Sequence, residues 1–228
     1  MILGEETSKS GPSKFEQAAA SAMVGEGVPP PAYEPPPSLA PPGIPSSNFI
    51  SINRRLSESK GVYVLDPTLR LPQSILRPRY SKAHLSISAV LGEAFAEVYI
   101  VNSESMPRGS RTRIEVSSAV GSTKLVLHAP DRRAPMSVSV SAHLGEATLL
   151  LPRSFRGPIR LSTTLGENTL SPALRAATVP VGNRLFVGTW NDTELNSKEW
   201  TGDEATVVST LGSVYVAYDD EVEKRDKC

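Results

Sequence analysis

Residues 85–100 read Leu85-Ser86-Ile87-Ser88-Ala89-Val90-Leu91-Gly92-Glu93-Ala94-Phe95-Ala96-Glu97-Val98-Tyr99-Ile100. Apolar residues recur at every second position on either side of one glycine. Period two is the mark of a strand with one buried and one solvated face. Gly92 supplies the positive φ that a bend or reversal requires, and Glu93 is ordinary solvated turn chemistry. The stretch therefore reads as strand, glycine turn, strand.

The same unit returns as Ser141-Ala142-His143-Leu144-Gly145-Glu146 and as Ser162-Thr163-Thr164-Leu165-Gly166-Glu167. A shorter copy is Ser209-Thr210-Leu211-Gly212-Ser213, and a looser one is Ser118-Ala119-Val120-Gly121-Ser122. Gly188 in FVGTW marks a candidate sixth, so successive glycines lie 29, 24, 21, 22 and 24 residues apart. A period in this range belongs to repeat architectures, in which one unit cannot bury its apolar face and a stack of units can. The expected fold is all-β: a solenoid-like stack of strand–Gly turn–strand repeats forming two facing sheets. Gly92, Gly121, Gly145, Gly166 and Gly212 are its structural turn glycines. An antiparallel β-sandwich of ordinary hairpins is the alternative.

Outward from this region the chain divides by composition. It has 228 residues, 39% of them hydrophobic and 6% aromatic. Ten of the 20 prolines fall in residues 1–47, including PPPAYEPPPSLAPPGIP. Such a stretch cannot be helical and has little to bury, so residues 1–47 are expected to form a disordered, polyproline-II-rich tail. Within it, Ser13-Lys14-Phe15-Glu16 is a capping box too short to sustain an isolated helix. Residues 48–220 are expected to form the all-β repeat domain, with TELNSKEW (193–200) as its best helical candidate. Residues 221–228 read as a charged C-terminal tail.

The residues of the β domain also carry a resemblance. Val64-Leu65-Asp66-Pro67, Leu151-Pro152-Arg153-Ser154-Phe155-Arg156-Gly157-Pro158, Trp200-Thr201-Gly202-Asp203, Val214-Tyr215-Val216-Ala217-Tyr218 and the leader PPPAYEPPP are its motifs. With them the chain resembles a family of fungal, chiefly basidiomycete, proteins classed as a domain of unknown function. More loosely, the serine-then-glycine units resemble bacterial adhesin-like β-solenoids. Neither resemblance implies catalytic residues.

Charge narrows the function classes. Lys plus Arg and Asp plus Glu are both 24, so there is no excess positive field for nucleic acid. No apolar run reaches the roughly 18 residues of a membrane span. The N-terminal MILGEETSKS lacks the basic and apolar regions of a signal peptide, so a cytoplasmic location is expected. The single Cys228 excludes an internal disulfide and is expected to be a frayed thiol.

No nucleophile elbow, zinc-protease helix or phosphate loop is present, so no catalytic residue, cofactor or metal is expected. His84, His128 and His143 would make a zinc site only if three strands converged on one point. Glu93, Glu146 and Glu167 follow equivalent glycines and would line one edge of a stack. Stacked like charges repel without a cation, and the glycine-aspartate repeats of Ca²⁺ rolls are absent, so solvated turns are expected. Arg70, Arg77, Arg79 and Lys82 form one basic group, and Arg153, Arg156 and Arg160 another. Both read as solvated faces, though adjacent arginines can hold phosphate. Asn191-Asp192-Thr193 is a glycosylation sequon, silent without export.

Pro30, Pro31 and Tyr33 make the sharpest motif. P-P-x-Y presents a preformed polyproline-II ridge to the aromatic groove of a WW domain. The expected function is a non-catalytic binding or scaffold protein whose tail recruits a WW-domain partner, of the ubiquitin-ligase type, while the β domain holds a ligand the sequence does not identify. The alternative is a structural or adhesin-like protein binding polysaccharide or cell-wall material. A hydrolase would need paired carboxylates roughly 5–9 Å apart on neighbouring strands.

Overall fold

The computed structural model describes residues 40–70, 83–107, 109–189 and 200–222. The PPxY motif, Arg77, Arg79 and Lys82, the sequon, residues 193–199 of the helix candidate and Cys228 lie outside the described residues.

Strands numbered along the chain form two open sheets. Sheet I has the order β1 (Ser46–Ser47), β3 (Ser59–Leu65), β5 (Ala94–Ile100), β7 (Thr123–His128), β9 (Ala147–Leu151), β15 (Val214–Tyr218), β11 (Asn168–Leu170). Sheet II has the order β12 (Thr178–Val181), β13 (Arg184–Val187), β10 (Gly157–Leu165), β14 (Glu204–Leu211), β8 (Met136–Leu144), β6 (Thr112–Val120), β4 (Leu85–Leu91), β2 (Ile50–Arg54). Two short α-helices, α1 (Pro172–Ala176) and α2 (Asp219–Val222), and a 3₁₀ turn at Ser103–Ser105 complete the regular structure of the described residues. The domain is thus nearly all β, and neither sheet closes into a barrel.

Six times the chain runs along a strand of sheet II and passes directly into a strand of sheet I. Parallel neighbours need a long connection, and here the strand in the opposite sheet provides it. Antiparallel pairing, the rule in the alternative sandwich, occurs among the described residues only where β13 joins β10 and β12. The alternation seen in the sequence becomes a shared core. Leu85, Ile87, Ile114, Val116, Val138 and Val140 point inward from sheet II and meet Ala96, Val98, Leu125, Leu127 and Leu149 from sheet I. Each large aliphatic side chain so buried contributes about 1.5–3 kcal/mol.

The spatial order of the units departs from their order in sequence. β14 lies between β8 and β10, and β15 lies between β9 and β11. Gly212 therefore stands between Gly145 and Gly166, which are not neighbours. β10 pairs with β14 on one side and with the β12–β13 hairpin on the other. That hairpin turns at Gly182, with φ 59°, and shields what would otherwise be an open sheet edge. Gly188 is not a sixth turn of the series: it follows β13, and its N–H bonds the Ala177 carbonyl.

Two boundaries also move. Ser46 and Ser47, assigned to the tail by composition, form β1 beside β3 because the Ser47 carbonyl accepts the Asp66 N–H at 3.0 Å. Glu221, assigned to the frayed C-terminus, is held by the Ser171 hydroxyl at 2.5 Å and the Tyr218 N–H at 3.1 Å.

Candidate binding surfaces

The start of β14 is fixed by one carboxylate. Arg133 grips Asp203 through two N–H···O bonds of 2.7 Å, with side chains 4% and 7% exposed. Asp203 also accepts the backbone N–H of Met136 and of Arg156, both at 2.9 Å. Met136 opens β8 and Arg156 immediately precedes β10, the two strands that flank β14, so one side chain bridges the place where the late unit enters. The Asp203 carbonyl accepts the Trp200 indole N–H at 2.7 Å. It also lies where a Cβ on Gly157 would be, which demands glycine there. The segments Leu151–Pro158 and Trp200–Asp203 are therefore one structural knot.

The glycine edge is the second feature. Gly92, Gly121, Gly145, Gly212 and Gly166 stack in that order, each at φ between 123° and 151°. Each N–H bonds the carbonyl preceding the next glycine, as from Gly121 to Leu144 at 2.8 Å. The residues that follow run Glu93, Ser122, Glu146, Ser213, Glu167 in space. The inserted unit places Ser213 between two glutamates adjacent in sequence order. Carboxylates then recur at every second strand, about 10 Å apart, which relieves the repulsion expected of a continuous row. Lys60 bridges Glu58 at 2.8 Å and Glu93 at 3.3 Å. Beside them Lys124 lies 5.8 Å over the Phe95 ring. Lys60, Phe95, Lys124, Glu146 and Thr148 line a shallow open groove of about 450 Å³.

A third feature was not foreseen in sequence. His128 Nδ1 lies 3.0 Å from Asp219 Oδ2 and its Nε2 lies 3.2 Å from Glu97 Oε1. The Tyr99 hydroxyl donates to the same Glu97 oxygen at 2.7 Å, and its ring stacks on the imidazole at 4.5 Å. That hydrogen bond, with burial and nearby carboxylates, pushes the Tyr99 phenol up to about 12. The Asp219 hydrogen bond raises the His128 pKa, partly opposed by burial and reinforced by both carboxylate charges. Adjacent in register, Tyr99 and His128 were a legible pair once parallel pairing was known. Asp219, 91 residues away, was not.

This cluster ties α2 to sheet I, and its pH dependence has a definite sign. A raised folded-state pKa means the contribution is full below the unfolded histidine pKa and fades as pH rises through the folded value. Urea unfolding at pH 6.0 and 8.5 is expected to show a drop in stability on raising pH, and His128→Gln to shrink that drop. An equal drop in both proteins would refute the assignment. Glu97, Asp219 and Tyr99 are the groups facing the ring.

The other histidines lie elsewhere. His84 Nδ1 accepts the Arg113 N–H at 3.0 Å and the ring stacks on Phe49; burial, and then the Arg113 charge, lower its pKa. His143 Nδ1 meets the Thr210 hydroxyl at 3.0 Å. Of the second basic group, Arg153 forks onto Asp220 and covers the Tyr218 ring at 4.1 Å, and Arg156 reaches the Thr189 carbonyl at 2.5 Å. Arg153 and Arg156 are thus held by different segments rather than focused on one point.

The outer face of sheet II carries rows of polar side chains. Asn53, Ser88, Ser117 and Ser141 are register partners on successive strands, and a second row runs Ser51, Ser86, Glu115, Ser139, Thr206 and Arg160. Strand spacing sets these about 4.8 Å apart across the sheet and about 7 Å apart along a strand.

The stacked core and the knot joining Leu151–Pro158 to Trp200–Asp203 both fall within one family match. The chain belongs to the family described as a domain of unknown function (DUF7330). The match spans residues 48–221. No curated protein matches the chain. Among solved structures, the domain is similar to a "putative cell adhesion protein" of Clostridium sporogenes, with 12% identity and a TM-score of 0.44. That likeness covers 75% of this chain and 93% of the other. Among the described residues of this DUF7330 chain, no helix is long and apolar enough to cross a membrane.

Proposed function

We propose that this protein is a non-catalytic binding or scaffold protein: a β-solenoid body of stacked strand–Gly turn–strand units with a proline-rich arm. The observation that carries this reading is the parallel register running from β2 through β4, β6, β8 and β14 to β10. It repeats side chains at equal intervals over broad, flat faces, which suits an extended partner better than a small substrate. The His128 cluster supports the same reading, because both ring nitrogens are engaged by carboxylates and neither is left to take a proton from a nucleophile. In this reading the protein works in the cytoplasm without a cofactor or nucleic acid. Pro30, Pro31 and Tyr33 bring a WW-domain partner of the ubiquitin-ligase type to the body, an assignment that rests on sequence alone.

A second reading, polysaccharide or cell-wall binding, is favoured by the polar rows on sheet II. That face mixes small hydroxyls with Glu115 and Arg160, which together offer hydrogen bonds to an extended sugar chain. One experiment separates the two. Full-length protein is titrated against a panel of WW domains and sedimented with insoluble β-glucan and chitin. The first reading expects micromolar WW binding that Tyr33→Ala weakens about tenfold or more, with the melting temperature unchanged. Equal WW binding by parent and Tyr33→Ala removes the tail's role. Sedimentation abolished by Ser88→Arg with Ser139→Arg establishes the second reading.

A further inference from the structure

The residue before each turn glycine is aliphatic, and the stack brings these residues into one line. Leu91 pairs with Val120, Val120 with Leu144, Leu144 with Leu211, and Leu211 with Leu165. Leu56, two residues beyond the Arg54–Ala89 pair, continues the line at one end. These six side chains are between 38% and 82% exposed, with Leu56 and Leu165 the most exposed at opposite ends. At about 4.8 Å per strand the spine is about 24 Å long. Contiguous apolar exposure of this kind marks an interaction surface, whereas scattered exposed leucines do not.

The two flanks of the spine differ in charge. On the sheet I side lie Glu58, Glu93, Glu146 and Glu167, with Lys60 bridging the first two. On the sheet II side lie Arg55, Val90, His143, Thr210 and Thr164. An aliphatic side chain every 4.8 Å is matched one for one by another array of the same period, and a second copy of this edge is such an array. A twofold axis along the spine exchanges the flanks. It sets Glu58 against Arg55, Glu146 against His143, and Glu167 against the Thr164 hydroxyl. A twofold axis across the spine would instead set Glu146 against Ser122 and Glu167 against the Lys60-bridged Glu58, leaving Arg55 and His143 without a carboxylate across the contact. Charge therefore selects the first arrangement, an isologous contact that closes on itself.

We propose that the aliphatic spine from Leu56 to Leu165 is the homodimer interface of this protein, formed with a second copy about a twofold axis parallel to the spine. The proposal goes beyond the binding function above and does not depend on it. Analytical ultracentrifugation of the full chain is expected to give a dimer of 24.4 kDa chains. Leu144→Asp, at the centre of the spine, should shift it to monomer while its circular dichroism spectrum remains that of the folded chain. His143→Glu should weaken the dimer about tenfold by opposing Glu146 of the second copy. Adding Glu146→His to that variant should restore it, because each altered residue again meets its complement. A wild-type chain that stays monomeric at about 100 µM, a dimer indifferent to Leu144→Asp, or a double variant as weak as His143→Glu alone would each overturn the proposal.

Discussion

Asp203→Ala is expected to lower the unfolding free energy by about 3–5 kcal/mol, because it leaves the Arg133 guanidinium buried without its counter-charge. The same change orphans the Met136 and Arg156 N–H groups that Asp203 accepts, and buried donors without partners are costly. Against a total stability of roughly 5–15 kcal/mol for a single domain, that loss removes a fifth or more of the margin. Arg133→Met removes the charge and should cost less in the Asp203→Ala background than in the wild type. Urea unfolding followed by circular dichroism gives the four corners of the cycle. Additive costs, or a loss below about 1 kcal/mol for Asp203→Ala, would show that the pair does not hold β14 in place.

What sequence reveals about this domain is limited by what is local. Alternation in Leu85–Leu91 and Ala94–Ile100 identifies strands and their buried faces, because burial acts on each side chain separately. Glycine between such runs marks the bend. Parallel and antiparallel pairing, however, present the same period-two pattern, so the runs alone left the sandwich open. The order of the units was hidden for a stronger reason. Leu144-Gly145, Leu165-Gly166 and Leu211-Gly212 are locally equivalent, and nothing in them says which neighbours which. The choice is made by Asp203, whose partners Arg156 and Met136 lie 47 and 67 residues away. The candidate surfaces follow the same division. The glutamates after the glycines could be placed on one edge from the repeat, yet their alternation with Ser122 and Ser213 depends on the spatial order. The His128 cluster needed α2 to return Asp219 to sheet I.

Gly212→Ala is expected to cost about 3 kcal/mol or more, and the reason distinguishes this glycine from others at positive φ. At φ 151° an alanine is strained wherever it stands. At Gly212 the added Cβ would in addition fall closer than 3.0 Å to the Gly145 carbonyl, which is backbone and cannot rotate away. Relief requires the two strands to separate, and the Gly145 N–H bond to the Leu211 carbonyl, at 2.9 Å, is lost with that movement. Gly92 heads the series and meets Ser57 and Glu58 backbone at 3.1 Å, so Gly92→Ala should cost less. Gly182, at φ 59° with nothing within 4 Å of its Cβ, carries only the milder left-handed strain, and Gly182→Ala should cost about 1 kcal/mol. Thermal and urea unfolding of the three variants should rank Gly212→Ala as most damaging, then Gly92→Ala, then Gly182→Ala. Equal losses at Gly212 and Gly182 would mean that the added Cβ meets no backbone at Gly212 and that the glycines are not in stacking contact.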